Sequence, residues 1–280
     1  MKKAKLRVRP KDYVLFAVSA FLVFLFIYPV LFALMSAFKS NGDILKSPIS
    51  FPTSLYVQNF KDLFAQSDFL TAIIHSVFLT VVSEVLIVFI VPMAAYGIER
   101  RQSRTTALVY TYFLAGMMIP FHLYMFPLFK EMRMFHMFGN MVGPIVCYIA
   151  GSIAFGTLLY SSFLKGIPLE IEEAAMIDGC NPLQIFFQVV LPVLKPTCIS
   201  VAILQTMWIW NDYLLPYLVL DITKYKTVPI AIQYLKGGYG SVDMGAMMAM
   251  LVLAIIPIVI FYMFCQKYII EGVVAGAVKG

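Results

Sequence analysis

Four of the 15 acidic residues fall in one stretch of nine, Glu170, Glu172, Glu173 and Asp178. Ala174 and Ala175 sit among them and Gly179 follows. Acids at the start of a helix complement its positive dipole end, and a small-residue surface lets a second backbone approach closely. The chemistry on offer is recognition by contact. Two readings follow from the residues alone: an amphipathic strut lying at a membrane interface, or a docking knob for a partner.

Other polar residues are isolated in apolar surroundings. Glu84 sits near the middle of a long apolar run. A charge there costs several kcal/mol if it faces lipid, so it either lines a polar path or pairs with a polar group on another helix. Asn211, Asp212 and Trp210, with Trp208 nearby, end another run. They either form an interfacial belt or offer hydrogen bonds and a stacking face to a sugar ring. Residues 117–141 hold seven methionines together with His122 and His136. Thioether and imidazole suit copper, but methionine also fills irregular interfaces, and 17 are spread along the chain. No convergent nucleophile, base or metal-ligand set stands out, so neither a catalytic nor a metal centre is expected.

The elements that must hold these residues follow from composition. Of 280 residues, 61% are hydrophobic and 13% charged, against nearer half and a quarter in soluble domains. Too few charges remain to clothe a soluble core, which excludes a soluble enzyme, a disordered tail and a coiled coil. The net charge of +6 is no nucleic-acid footprint, because six of the 21 basic residues crowd into the first eleven. The four cysteines are scattered, without a CxxC, and read as reduced apolar residues. Crossing a bilayer takes roughly 20 apolar residues. Six segments qualify, at about 13–38, 69–98, 106–128, 141–164, 197–220 and 244–266. Each must be a helix, since lipid offers backbone groups no partner. Pro92 can kink the second, Pro120 and Pro127 the third, and residues 129–140 suit a re-entrant or interfacial helix.

Basic residues orient the array. With the N-terminus inside, inner segments 1–12, 99–105, 165–196 and 267–280 carry 13 Lys and Arg, against eight outside. This divides the chain into a basic cytoplasmic N-terminus 1–12, a six-span domain 13–266 and a cytoplasmic tail 267–280. The inner loop 165–196 spells two short helices. Pro168 and the acids open the first and Gly179 stops it. Asn181 caps the second, Pro182 begins it, and Pro192 ends or kinks it.

Glu173-Ala174-Ala175, Asp178-Gly179 and Val189-Val190-Leu191-Pro192 are similar to the EAA loop of ABC-transporter permeases, with Val189 in place of the usual Ile. Ala94-Ala95-Tyr96 before Arg100, Trp210-Asn211-Asp212, and the tail from Gln266 to Gly280 resemble one branch, the second permease subunit of maltose-type carbohydrate importers. His75-Ser76 departs from the Asn-Ser usual there. The resemblance implies an all-α, type I importer fold whose first short loop helix is a coupling helix in a cleft of an ATPase. Glu173 would then pair with a basic residue of that ATPase, Ala174 and Ala175 would permit close fit, and Asp178-Gly179 would complete the bend. It further implies a second, different permease subunit, a cytoplasmic ATPase dimer and an extracytoplasmic sugar-binding protein, in a bacterial or archaeal cytoplasmic membrane. The loop 221–243 with Gly237-Gly238-Tyr239-Gly240 is where that binding protein would touch, and the tail from Gln266 could reach the ATPase.

The chain carries no GxxxxGK[ST] phosphate loop; Gly272 to Gly276 lacks the Lys-Ser/Thr. It is therefore expected to be no enzyme and to hold no cofactor, with ATP and Mg on the partner ATPase. The rival function is a secondary transporter or a copper conduit working without an ATPase.

Overall fold

The computed structural model describes residues 10–66, 68–235 and 243–277. Among these every regular element is helical. The chain forms two compact units, one of the described residues up to Phe69 with Ile232–Ile256, the other of Leu70–Ala231 with Pro257 onward.

In the first unit α1 (Pro10–Ala37), α2 (Asn41–Lys46) and α3 (Gln58–Gln66) precede the start of α13 (Met244–Ala277). The end of α1 leaves carbonyls that lipid cannot satisfy. Asn59, buried on α3, donates from Nδ2 to the Ala37 and Lys39 carbonyls at 2.7 and 2.8 Å. Lys39 is itself buried and donates to the Ser47 and Pro48 carbonyls, both at 3.0 Å. Two residues on, Asn41 accepts from the Gly245 amide at 2.8 Å and donates to Asp243, which accepts from the Ala246 amide. Four side chains thus close helix ends that would otherwise be bare.

The second unit begins with α4 (Phe69–Arg101), followed by α5 (Arg104–Met117), α6 (Phe121–Met134), α7 (Val142–Leu164), α8 (Leu169–Ile177), α9 (Pro182–Gln184), a π-helical segment Ile185–Val190, α10 (Leu191–Asn211), α11 (Leu214–Val219) and α12 (Val228–Tyr234). Helix α7 is central, with α5, α10 and α11 packed on it. Tyr148, Tyr160, Leu164, Ile185, Phe186 and Leu194 fill the core.

Five helical runs are long and apolar enough to cross a membrane: Lys11–Ala37, Phe69–Arg101, Val142–Leu164, Pro182–Asn211 and Met244–Tyr268. The expected third span is instead the pair α5 and α6, bent by 109°, and counting it as one broken span brings the total to six. Pro120 explains the break. It stands before α6 with ψ of 137°, it offers no amide to α5, and its ring disfavours helical backbone at Ile119.

The loop before the fifth span also differs from expectation. Asn181 does cap, accepting from the Gln184 amide at 3.0 Å while Gln184 accepts from the Asn181 amide at 2.8 Å. Pro192 does not end the helix. The run continues from Pro182 to Asn211, displacing the span from 197–220 to 182–211. A proline ring collides with the carbonyl four residues back in an α-helix. Widening to π geometry, where the Leu191 amide reaches the Phe186 carbonyl five residues back, makes room for it. The last helix likewise continues past the expected 266 to Ala277.

Helices α4 and α7 approach so closely at Gly156 that a Cβ there would overlap Cγ1 of Val91. Valine is stiff at χ1 and buried at this point, so it cannot swing aside. Gly156→Ala should therefore cost about 1–3 kcal/mol by overpacking, read as a lower unfolding temperature in detergent. Adding Val91→Ala should restore most of the loss.

Candidate functional site

Helix α8 is built as an isolated, sharply bounded element. Pro168 precedes it in extended conformation, and its end is a closed motif. The Cys180 amide donates to the Ala175 carbonyl and the Gly179 amide to the Met176 carbonyl, both at 3.0 Å, which is the Schellman pattern. Gly179 has φ of +87° with open space around its Cβ position. Glycine is required there for the left-handed backbone, not for room.

The faces of α8 divide sharply. Glu172 and Ala175 are buried, three residues apart on one side. Glu170, Glu173, Ala174 and Asp178 are exposed, together with Leu169, Ile171, Met176 and Ile177, the last 86% exposed. The exposed side is therefore an apolar tip set among carboxylates.

Both carboxylate oxygens of Glu172 are engaged. Its Oε1 accepts from Arg100 Nε at 2.8 Å and lies 2.7 Å from Nη2, and its Oε2 accepts from the Tyr96 hydroxyl at 2.7 Å. Arg100 Nη2 also donates to the Ile167 carbonyl at 3.1 Å. The Tyr96 ring rests on Phe186 of the π segment, centroids 5.3 Å apart. Glu172 stands in the first turn of α8, where dipole complementarity is expected, and is in addition clamped to α4. A usable signal was present: Tyr96 and Arg100 lie four residues apart and put a hydroxyl and a guanidinium on one face of α4.

A cavity of about 200 Å³ lies between α4, α10 and α13, lined by Val77, Thr80, Thr206, Trp210, Pro257 and Phe261 among others. Glu84 stands one turn along α4 from Thr80. Both its oxygens are buried; the Thr206 hydroxyl lies beside the carboxylate, short of a hydrogen bond of good geometry, and no other partner is found among the described residues. Trp210 is buried in the cavity wall. Glu84 and Trp210 are thus neighbours of one space through Thr206.

Asn211 and Asp212 both make local hydrogen bonds. Asn211 donates to the Met207 carbonyl at 2.7 Å. Asp212 accepts from the Tyr148 hydroxyl at 2.9 Å and from the Leu214 amide at 2.9 Å, capping α11. Trp208 packs edge-on against Tyr148 and over Gly151. Beyond the spans, Asp221 accepts from the Thr223 amide and hydroxyl, and these bonds hold its carboxyl below the usual range. In the methionine-rich stretch, Met132 contacts Cys147, sulfur to sulfur at 4.0 Å. Among the described residues His, Cys, Asp and Glu form no group of three that could hold a metal. Gly237-Gly238-Tyr239-Gly240 and Val278 lie outside the described residues.

Residues 87–274 match the family model of the binding-protein-dependent transport system inner membrane component. The chain belongs to this family. The match spans α8, the π segment and the α10 and α13 walls of the cavity, and it makes the protein a multi-pass permease of the ABC-transporter class. Such permeases work with an ATPase and a substrate-binding protein, and the EAA motif and coupling helix on α8 are typical of them. The chain is 36% identical over 273 residues to the probable starch degradation products transport system permease protein AmyC of Thermoanaerobacterium thermosulfurigenes, covering 98% of this chain and 99% of that one. It is 33% identical over 272 residues to the multiple sugar-binding transport system permease protein MsmG of Streptococcus mutans, covering 95% and 96%. Its fold is similar to a chain in the crystal structure of a bacterial ABC transporter involved in the import of the acidic polysaccharide alginate. The TM-score is 0.76 at 24% identity, covering 94% of this chain and 99% of that one.

The two bonds of Asp212 predict its behaviour. Asp212→Ala should lower stability by about 1–2 kcal/mol, as a lost cap and a lost buried bond. Asp212→Asn keeps an acceptor for the Leu214 amide and can donate its NH2 to the Tyr148 hydroxyl oxygen, so it should recover much of the loss in thermal unfolding. A transport defect in Asp212→Asn with full stability would instead place the residue on the substrate.

Proposed function

We propose that this chain is the conducting permease of an ATP-driven sugar importer, with oligosaccharides as its cargo. The observation that carries the reading is the division of α8: Glu172 is retained inside while Glu173, Ala174, Met176 and Ile177 are offered outward. An apolar tip rimmed by carboxylates fits a cleft lined by basic and apolar residues, which is what an ATPase partner would have to present. In this reading Glu173 pairs with a basic residue of the ATPase, Ala174 and the buried Ala175 keep the helix slender, and Asp178-Gly179 sets its exit. Hydrolysis, with ATP and Mg, takes place on the ATPase dimer, and this chain is not itself an enzyme.

Sugar as the cargo is supported by the relatives, whose names refer to starch degradation products, multiple sugars, arabinooligosaccharides and lactose. A second, different permease subunit completes the translocation path, and an extracytoplasmic binding protein delivers the sugar. Both termini and α8 lie on the cytoplasmic side, consistent with the basic residues of the N-terminal segment and of 99–105. Within the membrane, Glu84 and Trp210 are the polar and aromatic groups beside the cavity and this chain's contribution to the path. The cavity wall is otherwise apolar apart from Thr80 and Thr206, so hydroxyl recognition would fall to these few groups and to the second subunit.

Glu173→Lys and Gly179→Pro are the decisive variants. Glu173→Lys reverses a charge at the interface. Gly179→Pro removes the amide that reaches Met176 and forbids φ of +87°. Both proteins should insert, yet uptake in reconstituted vesicles should fall at least about tenfold, since a lost buried ionic contact costs a few kcal/mol. Uptake that survives undiminished and follows an ion gradient would favour a secondary transporter. Glu84→Gln keeps the shape and removes the charge. It should raise the sugar concentration for half-maximal uptake, with less effect on the maximal rate, if Glu84 faces the path.

A further inference from the structure

Besides its packing on the π segment, helix α8 has three attachments, and they differ in kind. Toward α7 it is tied by the turn Lys165–Pro168. Toward α10 it runs through Asn181 into the π segment Ile185–Val190, where the hydrogen-bond register is looser than in an α-helix. The third is not covalent: the clamp of Glu172 by Arg100 and Tyr96. It closes three short polar contacts on a carboxylate that is 3% exposed, and Arg100 is itself fixed by the Ile167 carbonyl.

A buried ion pair is poor evidence for stability, because well-packed apolar residues often serve as well or better. What it supplies is direction. A planar guanidinium and a hydroxyl approaching one carboxylate define the position of α8 on α4 in a way that apolar contact does not. From Tyr96 of that clamp, α4 continues unbroken through Pro92 and past Glu84 and reaches Thr80 in the cavity wall about 24 Å away, with Val77 one turn beyond.

We propose that Glu172 is a positioning residue that joins α8 to α4 as one rigid body, so that movement of the coupling helix is delivered to the cavity through α4 while the π segment yields toward α10. The inference rests on the ATP-coupled reading above. It assigns to the first glutamate of the pair Glu172-Glu173 an internal mechanical role, and leaves the second to face the partner.

The test uses the whole transporter, with both permeases, the ATPases and the binding protein, and with the four native cysteines of this chain replaced. Spin labels at Gly97 and Ile177, both exposed, report α4 against α8. Labels at Ile177 and Leu204, also exposed, report α8 against α10. Distances are measured without nucleotide and after trapping with Mg-ATP and vanadate, so no sugar need be known. The α4–α8 distance should stay constant and the α8–α10 distance should change. A nucleotide-driven change of more than about 2 Å between α4 and α8, the size of an ordinary helix shift, overturns the proposal. The pair Arg100→Met with Glu172→Leu, which leaves no charge unpaired, should make the α4–α8 distance vary with nucleotide and cut stimulated ATPase activity at least tenfold. The ATPase should still co-purify, and the swap Arg100→Glu with Glu172→Arg should regain part of the stimulation. Unchanged stimulation in the apolar pair, or its loss only because the ATPase dissociates, also overturns the proposal. If neither distance responds to nucleotide in the unaltered protein, the ATP-coupled reading itself fails and the inference falls with it.

Discussion

Hydrocarbon offers a peptide group nothing to bond, and almost every departure from a plain helix in this chain is a response to that constraint. Where α1 ends, Asn59 reaches back to two carbonyls. Where Pro192 removes an amide, the backbone widens into a π segment and stays bonded. Where Pro120 cannot be absorbed in the same way, the chain turns by 109° and starts again. Asp212 follows the same logic at the end of α10, spending one oxygen on a backbone amide and the other on Tyr148.

Carboxylates obey a stricter version of the constraint, and two of them show its range. Glu172 is buried and fully engaged. Glu84 is buried with neither oxygen in a closed hydrogen bond among the described residues. A charge so placed is costly, and the Thr206 hydroxyl beside it offsets part of that cost. The contrast separates a carboxylate held firmly by side chains of its own unit from one that they leave largely unsatisfied.

Much of this was legible in the sequence because membrane spans are written in composition. Apolar length alone placed α1, α4, α7 and α13, and Gly179 and Asn181 marked the end of α8 and the start of α9 through backbone chemistry that needs no tertiary knowledge. Prolines were harder. Pro120, Pro127, Pro192 and Pro196 all sit in apolar helical sequence, yet one breaks the helix, one is absorbed through a π segment, and Pro127 and Pro196 lie inside helices. The outcome depends on what packs around each ring. Glu172 was hidden for a related reason. Its partners come from 72 and 76 residues away, and a first-turn glutamate already has a sufficient local explanation. The local bonds of Asp212 were equally hidden, because Tyr148 lies 64 residues away in sequence.

The π segment carries a geometric consequence for the residues beyond it. One extra residue in a helix turns everything after it by about 100°. Thr206 and Trp210 face the cavity with Val77 and Thr80 because of that added rotation. Had Ile185–Val190 been wound as ordinary α-helix, the same side chains would stand more than a quarter turn away. The orientation of the cavity wall in α10 is thus set some fifteen to twenty-five positions upstream, by six residues that never touch it.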